Sequence, residues 1–252
     1  MATRRSERRM DLPARGVGRV VAAPQNDLIW HFVVEAIGTF ALIFMGAGAI
    51  VMTGGDNLVA IGLAHGLAIG LMVAATGHIS GGAFNPAVVL ALLLARKIPP
   101  IKAAGYIVAQ LVGSVLAALA LTAVFPGDLV NKVGLGTPAV GQGFSVTNAL
   151  VAEIITTFFL AYVIFGVAVD KRSASTIAAL AIGLTISMDI FATGAVSGAA
   201  MNPARWFGPA IVQGKLDNWW VWWVGPLIGA ALAAGLYYYG YLRGKDPVVP
   251  VA

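Results

Sequence analysis

The chain has 252 residues, 59% of them hydrophobic and only 11% charged, and its mean hydropathy is +0.85. This composition excludes an ordinary water-soluble domain and predicts a protein whose solvent is a lipid bilayer. Cysteine is absent, which excludes disulfides and thiolate metal sites.

The formal net charge is +5, and six of the sixteen basic residues lie before residue 20. Because membrane spans follow this cluster, it is typical of a cytoplasmic segment that contacts anionic lipid. No nucleic-acid partner is expected. We predict a basic, disordered cytoplasmic tail over residues 1–27, a membrane domain over residues 28–242, and a short cytoplasmic tail over residues 243–252.

Apolar runs of roughly 20 residues, the length that crosses a bilayer, recur after residue 27. Turn signals rich in glycine, proline and charge separate them. The sequence therefore predicts an all-α membrane protein with six transmembrane helices, over residues 30–53, 58–76, 102–124, 147–169, 175–192 and 218–242.

Two short helices are predicted in addition. Residues 57–95 contain no charge, and 39 residues are too many for one crossing. The stretch "HISGGAFNPAVV" interrupts this run with glycine and proline, so we expect a short helix over residues 86–95. A second break over residues 194–201 precedes another short helix that begins at Pro203.

The two halves of the chain are repeats, covering about residues 28–126 and 145–242. Asn85 and Asn202 lie 117 positions apart, and Glu35 and Glu153 lie 118 apart. Each half has three full spans, an odd number, so the second half must be inverted relative to the first. Inverted repeats of this kind place their functional site where the halves meet, near the midplane.

Charge asymmetry predicts the orientation. With both termini in the cytoplasm, thirteen of the sixteen basic residues lie inside, two lie outside, and Arg205 lies within the membrane. This agrees with the positive-inside rule.

The repeated Asn-Pro-Ala motif explains the short helices. Asn is a good helix N-cap, and Pro is tolerated at the first helical position. Inversion brings the positive N-terminal ends of the two half-helices together at the membrane centre, where Asn85 and Asn202 can donate hydrogen bonds to a passing molecule. Such a passage serves small neutral molecules and repels cations. The residues assigned to it are Asn85, Pro86, Ala87, Asn202, Pro203 and Ala204.

The boxes "SGGAFNPAV" and "SGAAMNPAR", together with "EAIGTF", "EIITTF" and "WWVGP", resemble those of aquaporins, the major intrinsic protein family. The resemblance covers about residues 28–242. It implies six tilted helices with two half-helices, one pore in each subunit, a homotetramer in the cell membrane, and neither an enzymatic activity nor a cofactor or metal.

The family also has a narrow filter on the extracellular side of the boxes. Distance from the motifs places it at His65, Ile190, Ala199 and Arg205, a set similar to that of tonoplast intrinsic proteins. The resemblance implies a passive water channel that excludes protons and ions, with ammonia, urea and hydrogen peroxide as further solutes. Glycerol transport is disfavoured because Trp206 stands where glycerol facilitators have Asp. The case for ammonia transport is weakened because the outer loop has no histidine.

Five ionisable residues lie at membrane depth, and each has its own interpretation. A charge at membrane depth marks a pathway, which favours Arg205 as a pore residue. We hypothesise that titration of His65 near neutral pH tunes permeation. Glu35 and Glu153 are predicted to be buried structural acceptors for the loops before the half-helices. Asp189 pairs with Arg205 or an outer-loop donor, or points to solvent; the sequence does not decide.

An ion-coupled secondary transporter is the alternative function, since inverted repeats and broken helices occur there too. It would need an ion-coordinating set, and the intramembrane acids are few. No set of nucleophile, base and acid supports an enzyme.

Overall fold

A computed structural model describes residues 28–173 and 175–244, which contain helices and no strand. Six helices are long and apolar enough to cross a membrane. Two π-helical turns, Phe165–Val169 and Tyr238–Leu242, extend the fourth and sixth of these spans. The helices are α1 (Leu28–Thr53), α2 (Leu58–Ser80), α3 (Pro86–Leu94), α4 (Pro100–Val124), α5 (Gly127–Lys132), α6 (Val146–Ile164), α7 (Ala178–Ser197), α8 (Pro203–Gln213) and α9 (Val221–Tyr237).

The predicted fold class is confirmed: an all-α membrane protein with six spans and two half-helices, α3 and α8. The predicted first tail, residues 1–27, lies outside the described residues. Residues 245–252 of the predicted second tail also lie outside them. The short helix α5 and a 3₁₀ turn at Gly134–Gly136 were not predicted, because the connection between the halves was interpreted as an irregular glycine-rich loop.

The second and fifth spans continue further than predicted. Their expected ends at residues 76 and 192 are wrong, since α2 reaches Ser80 and α7 reaches Ser197. Both helices end at a glycine in the left-handed conformation, Gly81 at φ 95° and Gly198 at φ 80°. Glycine adopts this helix-ending conformation without a steric penalty. The earlier glycines in each helix only lower helix propensity, by about 1 kcal/mol each, and packing outweighs that.

The halves meet along α2 and α7. A Cβ atom added to Gly66 would collide with the backbone carbonyl of Gly183, and one added to Gly183 would collide with that of Gly66. Without side chains at these positions the two backbones come into direct contact, which is how helices associate in lipid. Within each half, α1 packs against α4 and α6 against α9 through similar small residues, Gly113 and Gly229.

Each half-helix packs against a span of the opposite half, α3 against α9 and α8 against α4. On α4, the Ser114 hydroxyl accepts a hydrogen bond from the Gly208 amide at 2.9 Å and donates to the Ala204 carbonyl. Ser114 is thus inserted into the hydrogen-bond ladder of α8. These two bonds anchor α8 on α4.

One end of α6 is closed by an ion pair outside the span. Asp170 follows the π-helical turn, and its carboxylate accepts hydrogen bonds from the Arg172 guanidinium and from the Tyr237 hydroxyl. The Arg172 guanidinium holds the pKa of the Asp170 carboxyl well below its usual range. The carboxylate therefore stays charged at neutral pH and ties the end of α6 to α9.

Candidate functional site

A cavity of about 250 Å³ lies between the two halves. Its lining includes Lys97 and Lys102, which lie after α3 and in the first turn of α4, and His65 and Arg205 on α2 and α8. We refer to the parts lined by these two pairs as the lysine half and the filter half. The cavity is lined by α2, α3, α6, α7 and the loops before α3 and α8, and it includes every filter position together with both motif asparagines: His65, Asn85, Ile190, Ala199, Asn202 and Arg205.

The loops that precede the half-helices have the same backbone conformation. Three pairs of residues, each 117 positions apart, have positive φ angles. Non-glycine residues rarely adopt this left-handed region, so its occurrence at matched positions is a conformation the fold imposes. The pairs are Gly81 (95°) with Gly198 (80°), Gly82 (66°) with Ala199 (43°), and Phe84 (47°) with Met201 (53°).

The first loop is held by Glu35, which is fully buried on α1. Its carboxylate accepts hydrogen bonds from the Ser80 hydroxyl at 2.7 Å and from the Ala83 and Phe84 amides at 3.0 and 2.7 Å. A fourth bond comes from the Gln110 side chain on α4 at 2.8 Å. A buried carboxylate satisfied by several donors keeps an irregular loop in one shape.

The second loop is held in the same way by Glu153, fully buried on α6. It accepts from the Ser197 hydroxyl at 2.7 Å and from the Ala200 and Met201 amides at 2.8 and 2.7 Å. Glu35 and Glu153 thus lie where structural acceptors were predicted, and neither lines the cavity.

The motif asparagines face each other and connect the halves. Each side-chain oxygen accepts from the backbone of its own half-helix, at 2.8 Å from Ala87 to Asn85 and at 2.9 Å from Ala204 to Asn202. Each side-chain nitrogen donates to the opposite loop. Asn85 donates to the Met201 carbonyl at 2.8 Å, and Asn202 donates to the Phe84 carbonyl at 2.9 Å. An amide nitrogen carries two hydrogens, so one on each asparagine is left for the cavity.

Arg205 is the charged group of the filter half and is only 2% exposed. Its Nε donates to His65 Nε2 at 2.9 Å, and its Nη2 donates to the Gly136 carbonyl at 2.9 Å. Its Nη1 has no hydrogen-bond partner within the described chain. A buried guanidinium nitrogen without a partner is costly, so an acceptor that reached Nη1 would stabilise Arg205.

The contacts of His65 define its tautomer. Nδ1 lies 2.8 Å from the Ile61 carbonyl and must donate to it, because Nε2 accepts from Arg205. Protonation of Nε2 would remove the bond that holds the guanidinium. Titration of His65 would therefore change the filter, and the hypothesis that it tunes permeation stays a prediction.

The remaining filter positions are apolar. Ile190 and Ala199 are 2% and 3% exposed and line the cavity with Arg205. Asp189, whose partner was left open, is buried rather than exposed to solvent, and it forms no ion pair with Arg205. Its Oδ2 has no hydrogen-bond partner in the described residues, and no physical role for it follows from these contacts.

Several groups that position the site were not predicted from the sequence. The carbonyls of Ile61 and Gly136 belong to the backbone, which carries no residue-type signal. Two aromatic side chains also hold the loops: the Tyr106 hydroxyl donates to the Ser80 carbonyl at 2.5 Å, and the Trp222 indole donates to the Ser197 carbonyl at 2.9 Å. These two residues lie 116 positions apart, the offset that relates α4 to α9, so the repeat could have indicated them.

Six spans around a lined cavity, with two half-helices meeting inside it, are the architecture of a membrane channel. A family model described as "Major intrinsic protein" matches residues 23–238. A probable aquaporin of Arabidopsis thaliana, NIP4-2, is 42% identical over 87% of this chain and 76% of its own length. Another, TIP3-2 of the same plant, is 41% identical over 90% of this chain and 89% of its own length.

Two further relatives extend the comparison. Nodulin-26 of Glycine max is 40% identical over 85% of this chain and 78% of its own length. The X-ray structure of the aquaglyceroporin from Plasmodium falciparum superposes with a TM-score of 0.76 at 27% identity, covering 84% of this chain and 96% of that one. The chain belongs to the major intrinsic protein family, the aquaporins, and is an integral, multi-pass membrane channel.

Proposed function

We propose that the protein is a passive channel for water that excludes protons and ions and also passes small neutral solutes. The observation that carries this proposal is Arg205, a buried guanidinium that lines the cavity between the two halves. Water can accept hydrogen bonds from such a group without bringing a charge of its own. A cation is repelled by the same group, because the surrounding dielectric is low.

The motif asparagines support exclusion of protons. The free N–H groups of Asn85 and Asn202, together with the positive ends of α3 and α8, favour a water molecule whose oxygen points at them. A water that accepts from both amides has used its lone pairs and cannot accept a proton from its neighbour. Cations meet the positive ends of both half-helices at the same point.

The filter side chains set the solute range. Arg205 provides donors on one wall, and Ile190 with Ala199 provides an apolar wall beside it. Ammonia and hydrogen peroxide combine small size with few polar atoms and fit such an opening, and urea, which has more polar groups, is expected to pass more slowly. Glycerol is a solute to test alongside these, because the chain is similar to relatives named NIP and TIP and to the structure of an aquaglyceroporin. Trp206 argues against glycerol transport.

Orientation, membrane and assembly are part of the proposal. The basic bias of the sequence puts both termini in the cytoplasm, and the cell membrane is the proposed location. Each subunit has its own pore between residues 28 and 242, so a homotetramer would contain four. The partners are lipid, water and small neutral solutes; neither a cofactor nor nucleic acid is proposed.

Purified protein in liposomes tests the function. We expect stopped-flow light scattering to show water flux well above that of empty liposomes, with a low activation energy and no dependence on an ion gradient. A pH-sensitive dye trapped inside should show no added proton leak. Flux that requires a sodium or proton gradient would instead identify the ion-coupled transporter. Liposomes no more permeable than empty ones would refute both.

A second prediction concerns His65. In His65→Ala the Arg205 guanidinium loses its Nε acceptor and the filter gains space, so we expect ammonia and urea permeability to rise by about threefold or more. His65→Gln keeps an acceptor near Nε2 and should stay closer to the wild type. Stopped-flow measurements of water and ammonia flux would check this. Unchanged permeability to both in His65→Ala would show that His65 is no filter residue.

A further inference from the structure

The inverted repeat gives each filter position a counterpart in the other half of the chain. A shift of 117 positions relates His65 to Ile182, Val73 to Ile190, Gly82 to Ala199, and Val88 to Arg205. The two Asn-Pro-Ala motifs do not by themselves assign a role to these counterparts. We call Val73, Gly82, Val88 and Ile182 the apolar set.

The structure shows that the shift relates positions in space as well as in sequence. The matched φ angles, the loop amides bound by the two glutamates and the reciprocal bonds of Asn85 and Asn202 all obey it. The filter lies on one side of the asparagine pair. Its counterparts therefore lie on the other side, in the lysine half, and all four members of the apolar set line the same cavity.

The apolar set is closely packed. A Cβ atom added to Gly82 would lie 3.3 Å from Val73 Cγ2, so the loop backbone and the α2 side chain are in contact there. Val88 and Ile182 are 3% and 5% exposed. Val73 is partly buried and packs against the apolar cluster that contains Ile182. The apolar set is therefore in contact with neighbouring side chains at this depth.

The chemistry of the two sites differs. The filter presents the donors of Arg205, whereas no side chain of the apolar set can form a hydrogen bond. A solute that passes the apolar set cannot form hydrogen bonds with these four side chains. It can form them only with the backbone of the loop. Apolar constrictions oppose polar solutes in this way, and the cost grows with the number of polar groups on the solute.

We propose that the apolar set is a second selectivity element, in series with the filter, that opposes neutral solutes with several polar groups, such as urea and glycerol. This inference rests on the proposed channel function. Two barriers in series imply that widening the inner one changes the flux little while the filter is intact. The inner barrier should limit the flux once the filter has been widened.

The test uses four liposome preparations: wild type, Val73→Ala with Ile182→Ala, Arg205→Val, and the three substitutions combined. We expect the alanine pair to raise urea and glycerol permeability by about threefold or more in the Arg205→Val background, and by much less in the wild-type background. Leu92→Ala is the matched control. Leu92 also lines the cavity, one turn further along α3 than Val88, and its truncation should change neither background.

An equal gain from Leu92→Ala, or no gain from the alanine pair in the Arg205→Val background, would overturn the proposal. Should the pair fold poorly, as judged by size-exclusion chromatography, Ile182→Val removes a single methylene and should give a smaller gain in the same direction. Wild-type protein that passes no water would count against the channel function itself. If the wild type passes water but the alanine pair leaves the solute flux unchanged, the result counts against the apolar set alone.

Discussion

Arg205→Val is expected to produce the largest functional change in the molecule. It removes the buried charge, the unpartnered Nη1 donor and the bonds to His65 and Gly136 at once. We expect urea and glycerol permeability to rise by about tenfold or more and a proton leak to appear, because the filter becomes wider and loses its positive charge. Stopped-flow solute uptake and a trapped pH-sensitive dye measure the two effects.

Arg205→Lys is the control for charge alone. Lysine keeps the positive charge but has no planar fork to bond both His65 and the Gly136 carbonyl. Proton exclusion should therefore be retained while solute selectivity is relaxed. If Arg205→Val liposomes kept the wild-type selectivity and remained tight to protons, Arg205 would be a structural residue and the filter would lie elsewhere.

Glu153→Ala is expected to have the largest effect on stability. The carboxylate accepts three buried hydrogen bonds, from Ser197 and from the Ala200 and Met201 amides, and truncation leaves all three donors without an acceptor. At about 1–3 kcal/mol for each of the three unsatisfied groups, the loss is roughly 3–9 kcal/mol, comparable to the stability of many domains. Thermal unfolding in detergent, followed by size-exclusion chromatography, should show a large fall in Tm or no folded protein.

Glu153→Gln separates shape from hydrogen bonding. It keeps the volume but replaces one acceptor with a donor that faces backbone N–H groups, so its Tm should lie between those of the wild type and the alanine variant. Glu35→Ala, the equivalent change in the other half, should resemble Glu153→Ala, since it removes four acceptor contacts. A Glu153→Ala protein as stable as the wild type would contradict the structural role of this carboxylate.

Local signals predicted the parts of the fold that depend on local chemistry. The half-helices begin at Pro86 and Pro203 as expected, because an Asn N-cap followed by Pro encodes a helix start within two residues. The repeat then gave the inversion and the number of spans. The ends of α2 and α7 were missed because left-handed glycines, rather than the first glycines in the sequence, close those helices.

The candidate site was predictable only at its side chains. Motif distances brought His65 and Arg205 to one cavity, and the structure places them in direct contact. The sequence contains no sign that the Gly136 carbonyl, on a loop between the halves, would bind the guanidinium. It also left the direction of Asp189 open, because burial depends on how α7 packs and not on the residues beside it.

The reciprocal asparagine bonds determine the order in which the channel can be completed. While only the first half of the chain is in the membrane, the Phe84 carbonyl and one Asn85 N–H lack the partners that the second half supplies. Missing hydrogen bonds in a bilayer are costly, so the first loop, although held by Glu35, gains its last partners only from the second half. The passage is therefore complete only after α8 and its loop have docked against the first half.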